Sequence, residues 1–443
     1  MRVSKPIILY LPELLISELD KYLEEYPPNF KYQRIYFYYV IHHLTVMQIQ
    51  YKNDEYFYLN KTFLSSVTIS NIDRYIKILK NGEFIISDNS YSLGVKSLKY
   101  KLNTKLIIGV SRIELKSDCK ISQRILKNLN KKKAHYNRLE PHLRCMKDEL
   151  MKMELDYQGA NKWVENNAND SQKLCYLTSI KNIEDKRFRH FKRNKTNKRL
   201  DTNLTNLKSD LRQFIVGDYV SIDLKNSQPF LLGILIDTII NNRDTLCCYL
   251  HECNLTKTFG IKAIRNALLI HQKEEKANLV NLSLFLDSVL NGTLYDEFIK
   301  SYSGEITRKE VKNIMFKVLF SRNEYYYGYK KLTPYESEKK TFASVYPLIY
   351  EVAKTLKRKD HRTLPIYLQR LESYLYIDCI AKELVNKGIT PFTIHDSVIV
   401  KTEHQQKTLD IINGVFLRQI GVIPSFDIKH LNKQTPPLYP HLN

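Results

Sequence analysis

Polar and apolar positions alternate with a period of two through D-Y-V-S-I-D-L, residues 218–224. That period puts Tyr219, Ser221 and Asp223 on one face of a strand and Val220, Ile222 and Leu224 on the other. Asn226 or Ser227 then caps a helix with Pro229 in its first turn, running through Phe230, Leu231, Leu232, Ile234 and Leu235. Near the end of the chain, T-P-F-T-I-H-D-S-V-I-V holds two strand-forming runs that meet at His395-Asp396, which predicts a β-hairpin. Between these stretches lies T-R-K-E-V-K-N-I-M-F-K-V-L-F-S-R. Val311, Ile314, Met315 and Val318 form its packing stripe, and Arg308, Lys312, Phe316 and Phe320 recur every four residues along a separate line.

The N-terminal part has helical periodicity. A helix over residues 11–26 is ended by Pro27-Pro28, a second spans 32–50, and a short one covers 59–64. After a turn at 68–70, a helix over 71–80 has Ile72, Tyr75, Ile76 and Leu79 inward, and two strand candidates joined by a lysine-rich loop come after it. Residues 126–185 read as helical and Gly-poor, with amphipathic spacing through Leu139, Leu143, Met146, Leu150 and Met153.

Length allows two or three domains in 443 residues, and 43% hydrophobic residues suffice for real cores. Sixty-nine Lys and Arg against 47 Asp and Glu leave a charge of +22, which points to a polyanionic partner, nucleic acid first. The run over residues 186–200, K-R-F-R-H-F-K-R-N-K-T-N-K-R-L, holds eight lysines and arginines, no acid, and Phe188 and Phe191 between them; it suits backbone phosphates. No apolar run spans a bilayer: the best, residues 230–240, is short and contains Asp237. With no signal-like N-terminus, the expectation is a cytoplasmic protein without a membrane partner. Seven scattered cysteines fit reduced thiols. Cys247, Cys248, His251 and Cys253 cluster without C-x-x-C spacing and read as ordinary helix residues rather than a zinc site.

Two acids carry the candidate chemistry. Asp223 and Asp396 each interrupt a run of strand formers, and a hairpin could bring them together to share divalent ions. Two carboxylates at the mouth of one sheet suit two-metal phosphoryl transfer, with the Arg308–Lys312 line gripping phosphate and Phe316 stacking on a base. The plainer alternative for Asp223 alone is a strand-end acid that caps a turn.

Over residues 31–125 the order helix, turn, helix, basic hairpin resembles a winged helix-turn-helix domain. Reading DNA with it requires Arg74, Lys77, Lys80, Lys96 and Lys99 to be exposed; the alternative is a protein-docking module. Over residues 186–430, the order of Asp-bearing strand, R-x-x-x-K-x-x-x-F helix and His-Asp hairpin resembles motifs A, B and C of family A DNA polymerases and the related single-subunit phage-type RNA polymerases. K-R-L-D-T-N-L-T-N-L at 198–207 looks like the stretch that precedes motif A in that family and touches the primer-template, through Arg199, Asn203 and Asn206. Gln369, with Glu372 three residues on, is similar in position to a family helix upstream of motif C.

The resemblance implies an α+β fold: a palm on an antiparallel sheet, helical fingers and a thumb-like arm, with the small winged helix. The expected division is an N-terminal helix (1–30), winged helix (31–125), helical arm (126–185), palm (186–245), fingers (246–345) and second palm segment (346–443). It implies metal ligation of two Mg2+ ions, or Mn2+ in their place, by Asp223, Asp396 and the Leu224 carbonyl. Arg308 and Lys312 would bind the triphosphate, Phe316 the nascent base or sugar, and His395 would lie near the primer end. The expected activity is primer extension on DNA from nucleoside triphosphates, in DNA replication of a mobile element or phage, without a proofreading exonuclease. An RNA polymerase using an RNA template or making an RNA product, a template-independent transferase, and a non-catalytic replication initiator are the alternatives. The chain departs from the DNA polymerases at three places: Gln228 replaces a glutamate, Phe320-Ser321 replaces Tyr-Gly, and Ser397 comes after His-Asp. Gln228 keeps the volume of that glutamate but lacks a phenol at Phe320 to orient it, so a real but loose preference for deoxynucleotides is expected.

Overall fold

The computed structural model describes residues 5–50, 56–89, 98–133, 136–241, 276–327 and 329–431. The Cys247–Cys253 cluster and Lys96 lie outside them. The fold is α+β, with helices predominating and strands paired in small antiparallel sheets. The chain divides into two compact units, one from residues 1–191 and 201–216, the other from 192–200 and 217–433.

In the first unit, strand β1 (Ile7–Leu11) leads into helix α1 (Glu13–Glu25), which stops before Pro27-Pro28. Next come helix α2 (Arg34–Gln50), β2 (Phe57–Tyr58), α3 (Lys61–Val67), α4 (Ile72–Asn81), β3 (Ile85–Ser87) and β4 (Lys99–Leu102). The strands form one sheet in the order β2-β4-β3. Asn60 caps α3 by accepting the Phe63 N–H at 2.9 Å, and α4 buries Ile72, Tyr75, Ile76 and Leu79, as the spacing predicts. Strand β5 (Ser111–Leu115), with Ile113 and Leu115 on one face and Arg112 and Glu114 on the other, pairs with β1. Leu9, Leu15, Phe37, Leu64, Tyr75 and Ile121 fall in one hydrophobic cluster, so the segment before residue 31 shares a core with residues 31–125 instead of standing apart from them. Helices α5 (Lys120–Lys133), α6 (Pro141–Lys152), α7 (Tyr157–Asn167) and α8 (Asp170–Glu184) complete the helical stretch, and Asn169 and Gln172 close a capping box at the start of α8. Strands β6 (Phe191–Arg193) and β7 (Leu200–Thr202) bracket residues 194–199, which belong to the second unit.

The second unit is built on a four-stranded antiparallel sheet. Strand β8 (Tyr219–Leu224) is central, and helix α9 (Ser227–Asn241) begins directly after it. Helices α10 (Lys276–Leu290), α11 (Leu294–Ser301) and α12 (Arg308–Phe320), the hairpin of β9 (Tyr325–Tyr327) and β10 (Lys330–Leu332), and helices α13 (Glu336–Val345), α14 (Pro347–Leu356) and α15 (Thr363–Ser373) come next. Helix α15 continues through a π-helical stretch (Tyr374–Ala381) into α16 (Lys382–Asn386). Strands β11 (Phe392–Ile394) and β12 (Ser397–Lys401), helix α17 (Gln405–Ile420) and β13 (Phe426–His430) close the sheet in the order β11-β12-β8-β13. Val220, Ile222, Val398 and Val400 form its apolar face and join Phe230, Val311, Leu368, Tyr376 and Phe416 in one core. Burial of such side chains stabilises by roughly 1.5–3 kcal/mol each. The polar residues of β8 are therefore forced to the opposite face.

Candidate active site

Antiparallel pairing sets the position of the acids. Residue Ser397 lies opposite Asp223 and Val398 opposite Ile222, a register the buried valines and isoleucine hold, because a one-residue slip would expose them. Ile394 pairs with Ser397, so His395 and Asp396 are the whole turn. His395 has φ of +56°, the left-handed sense that two-residue hairpins favour. The Leu224 N–H donates to the Asp396 carbonyl at 3.1 Å, tying the turn to the end of β8 beside Asp223. The Ser221 hydroxyl donates to Asp223 Oδ2 at 3.3 Å and is 2.7 Å from the Ser397 hydroxyl. Asn226, with φ of +53°, turns the chain into α9.

A third carboxylate joins them from α15. Glu372 is 1% exposed and receives Arg199 Nε and Nη2 at 2.8 and 2.7 Å and Gln228 Nε2 at 2.6 Å. Burial pushes its carboxyl up to about 7; the Arg199 guanidinium opposes this and the charge of Asp396 adds to it. Burial also raises Asp396, and the nearby charge of Asp223 adds to that shift. The Tyr376 phenol is held well above its ordinary value, first by burial and then by the charges of Asp396, Glu372 and Asp223, so all three acids share one electrostatic neighbourhood. Tyr376 Oη, Gln228 Oε1 and Asn226 Nδ2 are buried there without a hydrogen-bond partner among the described residues. An unsatisfied buried polar atom costs about 1–3 kcal/mol. Several beside close carboxylates are what a site for a cation and its water or phosphate ligands requires, and the donor set of Asp223, Asp396 and the Leu224 carbonyl is the hard-oxygen set that Mg2+ takes.

Helix α12 begins where Thr307 and Glu310 close a capping box, with the Thr307 N–H donating to Glu310 Oε2 at 2.8 Å. Its apolar stripe, Val311, Ile314, Met315 and Val318, is buried as expected. Along the other line, Lys312 is exposed with no ion-pair partner among the described residues, and Phe316 is 44% exposed with its ring 5.5 Å from that of Phe320. Arg308 departs from the expectation of a free phosphate ligand. Its Nη1 meets both oxygens of Asp296 at 2.6 Å, and its guanidinium lies 5.3 Å from the Tyr295 ring centroid. Tyr295 is raised by burial, with Arg308 pulling it down and Asp396 pushing it up, so the start of α12 is within electrostatic reach of the acid turn.

The basic run of residues 186–200 sorts by residue type. Arg187 pairs with Asp185 at 2.6 Å, and Arg189 is buried and donates to the carbonyls of Ile183, Leu150 and Met151. Arg193 grips Asp378 through both terminal nitrogens, and Arg199 grips Glu372. Lys186, Lys192, Lys195 and Lys198 are all exposed. Arg199 therefore faces inward, contrary to its expected place on nucleic acid. Asn203 does too: it is 5% exposed, accepts the His190 N–H at 2.7 Å and donates to the Asn182 and Phe188 carbonyls. Asn206 and His395 are exposed. Gln369 is half-buried and accepts from Asn197 Nδ2 at 3.1 Å, docking the 194–199 loop on α15. On α4, Arg74, Lys77 and Lys80 are exposed, Arg74 lying 5.6 Å from the Phe30 ring centroid.

Gln228 is not loosely held. Its amide nitrogen donates to Glu372, one helical turn beyond Gln369. Sequence reading placed Glu372 on the right helix without giving it a function, although an acid inside L-Q-R-L-E-S-Y-L-Y-I is a signal of a paired or functional charge. Asp427 is a further acid on the sheet. It lies opposite Asp223 on the other side of β8, exposed, with Lys429 Nζ 3.3 Å from its carboxylate. No protein-family model matches this chain, and no curated protein matches it either.

Proposed function

We propose that the protein is a nucleotidyltransferase of polymerase type, in which the four-stranded sheet is the palm, the helices around α12 the fingers, and the α2–β4 segment a winged helix. The observation that carries this reading is the β8–β12 register, which sets the Asp396 turn against the end of β8 beside Asp223. The raised carboxyls and buried unpartnered polar atoms around them support it, as do a capped helix with exposed Lys312 and Phe316 and the helix–strand order of the first unit.

In the proposed reaction a primer 3′-hydroxyl forms a bond to the α-phosphorus of a deoxynucleoside triphosphate on a DNA template, the bond to the β-phosphate bridging oxygen breaks, and pyrophosphate leaves. Asp223, Asp396 and the Leu224 carbonyl would hold divalent ions, which acidify the hydroxyl and balance phosphate charge. Lys312 neutralises the triphosphate as a point charge. Arg308 reaches the same phosphates by exchanging its Asp296 carboxylate for them. Phe316 offers its exposed face to the incoming base. Gln228, fixed by Glu372, bounds the space beside the sugar.

Incubation of the full chain with a primed DNA template, labelled deoxynucleotides and Mg2+ tests the reading. Extension is expected in the parent. Asp223→Asn and Asp396→Asn should each lose at least ~10²-fold of it, on the scale of removing one preorganised electrostatic contact. Their thermal midpoints should hold or rise, since carboxylate repulsion is relieved. Full extension by either variant would refute the assignment.

A further inference from the structure

The β9–β10 hairpin presents an unusual surface. Lys331 pairs with Tyr326 and Leu332 with Tyr325 across the two strands. Tyr326 is 69% exposed, Tyr329 is fully exposed, and Tyr325 is also on the surface. Single exposed aromatics are ordinary, but three within five residues make a patch that needs a reason.

The hairpin also adjoins positive charge. Arg322, Asn323 and Glu324, which lead directly into β9, line a cavity of about 780 Å3 whose other walls include Arg358, Lys359 and Arg362. Arg362 is held by Asp360 at 2.8 Å. Arg322, Arg358 and Lys359 are exposed and have no carboxylate partner among the described residues. Lys330, on the hairpin itself, is exposed too.

We infer that the tyrosine hairpin and the cationic cavity at its base form a binding surface for single-stranded nucleic acid, with bases stacking on Tyr326 and Tyr329 and the backbone following Arg322, Arg358 and Lys359. Stacking on an aromatic face needs an unstacked base, which a single strand offers and a duplex does not. Phosphates at the nucleotide repeat answer cations that no protein carboxylate neutralises. Tyrosine and arginine also suit a protein interface, but lysine is depleted there, so the exposed Lys330 and Lys359 favour phosphate over a protein partner. None of Asp223, Asp396 and Glu372 lines this cavity, and the inference does not depend on catalysis.

The test is binding of a fluorescent oligothymidylate to the full chain without nucleotide or metal, with a duplex of equal length and phosphatidylserine-containing vesicles as the other arms. Tyr326→Ala/Tyr329→Ala should weaken single-strand binding by at least ~10-fold and leave duplex binding unchanged. Tyr326→Phe/Tyr329→Phe, which keeps both rings, should bind like the parent. Arg322→Ala/Lys359→Ala should lower the slope of log K against log salt by about 1.4, at ~0.7 per phosphate contact. Because binding is read without nucleotide or metal, its failure is distinguishable from any failure of extension. Unchanged single-strand affinity in the alanine pair, or a parent that binds the vesicles and not the oligonucleotide, would overturn the inference.

Discussion

Gln228 and Glu372 make a pair whose chemistry is directional. The amide nitrogen donates and the carboxylate accepts at 2.6 Å, in a buried place where Arg199 supplies the balancing charge. Replacing Gln228 by Glu would set two carboxylates against each other, one of them already raised to about 7 by burial. Gln228→Glu should therefore destabilise the protein by about 1–3 kcal/mol, the cost of a buried polar group that loses its partner. Glu372→Gln alone should also destabilise, because Arg199 loses its ion pair. The double variant Gln228→Glu/Glu372→Gln restores one carboxylate, one amide and one guanidinium, and should recover most of the lost stability. Urea unfolding of the two single variants and the double one measures this as a double-mutant cycle. Additive losses would mean that the pair is not coupled.

At the scale of the element, α12 is fixed at both ends. Its start is closed by the Thr307–Glu310 capping box, and its end by two buried lysines. Lys357 Nζ donates to the carbonyls of Val318 and Ser321, and Lys339 Nζ to those of Arg322 and Asn323. These carbonyls belong to the last turn of the helix and the segment after it, where the backbone dipole is negative and intrahelical donors run out. Burial pulls Lys357 down to about 7, and the charge of Lys339 adds to the shift. The folded protein therefore binds fewer protons than the unfolded chain between about pH 7 and the ordinary lysine value of ~10.4, so this lysine's contribution to stability rises with pH across that window. Below about pH 7 both states are protonated and the cost of the buried charge is constant. Unfolding free energy should climb from pH 7 to pH 9.5 by up to about 1.4 kcal/mol per unit from this one group. Lys357→Met should flatten the climb while lowering stability at high pH, since two carbonyls lose their donor. The same slope in parent and variant would assign the pH dependence elsewhere.

Taken as a whole, the molecule carries +22 charges, yet its cations have two different employments. In the basic run, arginines make internal ion pairs and carbonyl contacts, and lysines are exposed. The division has a chemical cause: the planar guanidinium satisfies two acceptors at once and is weakly hydrated, whereas the ammonium stays in water. Lys192→Ala/Lys195→Ala/Lys198→Ala should lower the salt slope of DNA binding by up to ~2.7, at about 0.9 per duplex phosphate contact, with the thermal midpoint unchanged. Arg193→Ala should instead lower the thermal midpoint, because it strips Asp378 of a bidentate partner. Binding isotherms at several salt concentrations and thermal melts separate the two; a salt slope untouched by the triple lysine change would remove this segment from the nucleic-acid surface.

Period-two and period-four spacing determined β8, the β11–β12 hairpin and α12 with its buried stripe, because each is specified by which side chains must leave water within a short window. The inner face of α4 and the helical character of residues 126–185 were legible for the same reason. The pairing of β5 with β1 was not, since it joins Ile7 to Leu115 and no local pattern records a contact at that separation. Nor could spacing tell that Arg199, Asn203 and Arg308 are held by internal partners, since a cation's partner depends on which carboxylate the fold carries to it. Sequence supplied two of the acids as interruptions of strands; tertiary structure decided that the Asp396 turn is tied to the end of β8 beside Asp223, that Glu372 shares their electrostatic neighbourhood, and that Gln228 is fixed by a carboxylate. Register across a sheet and the approach of a distant helix are set by the packing of the whole core, and neither is written in any one segment.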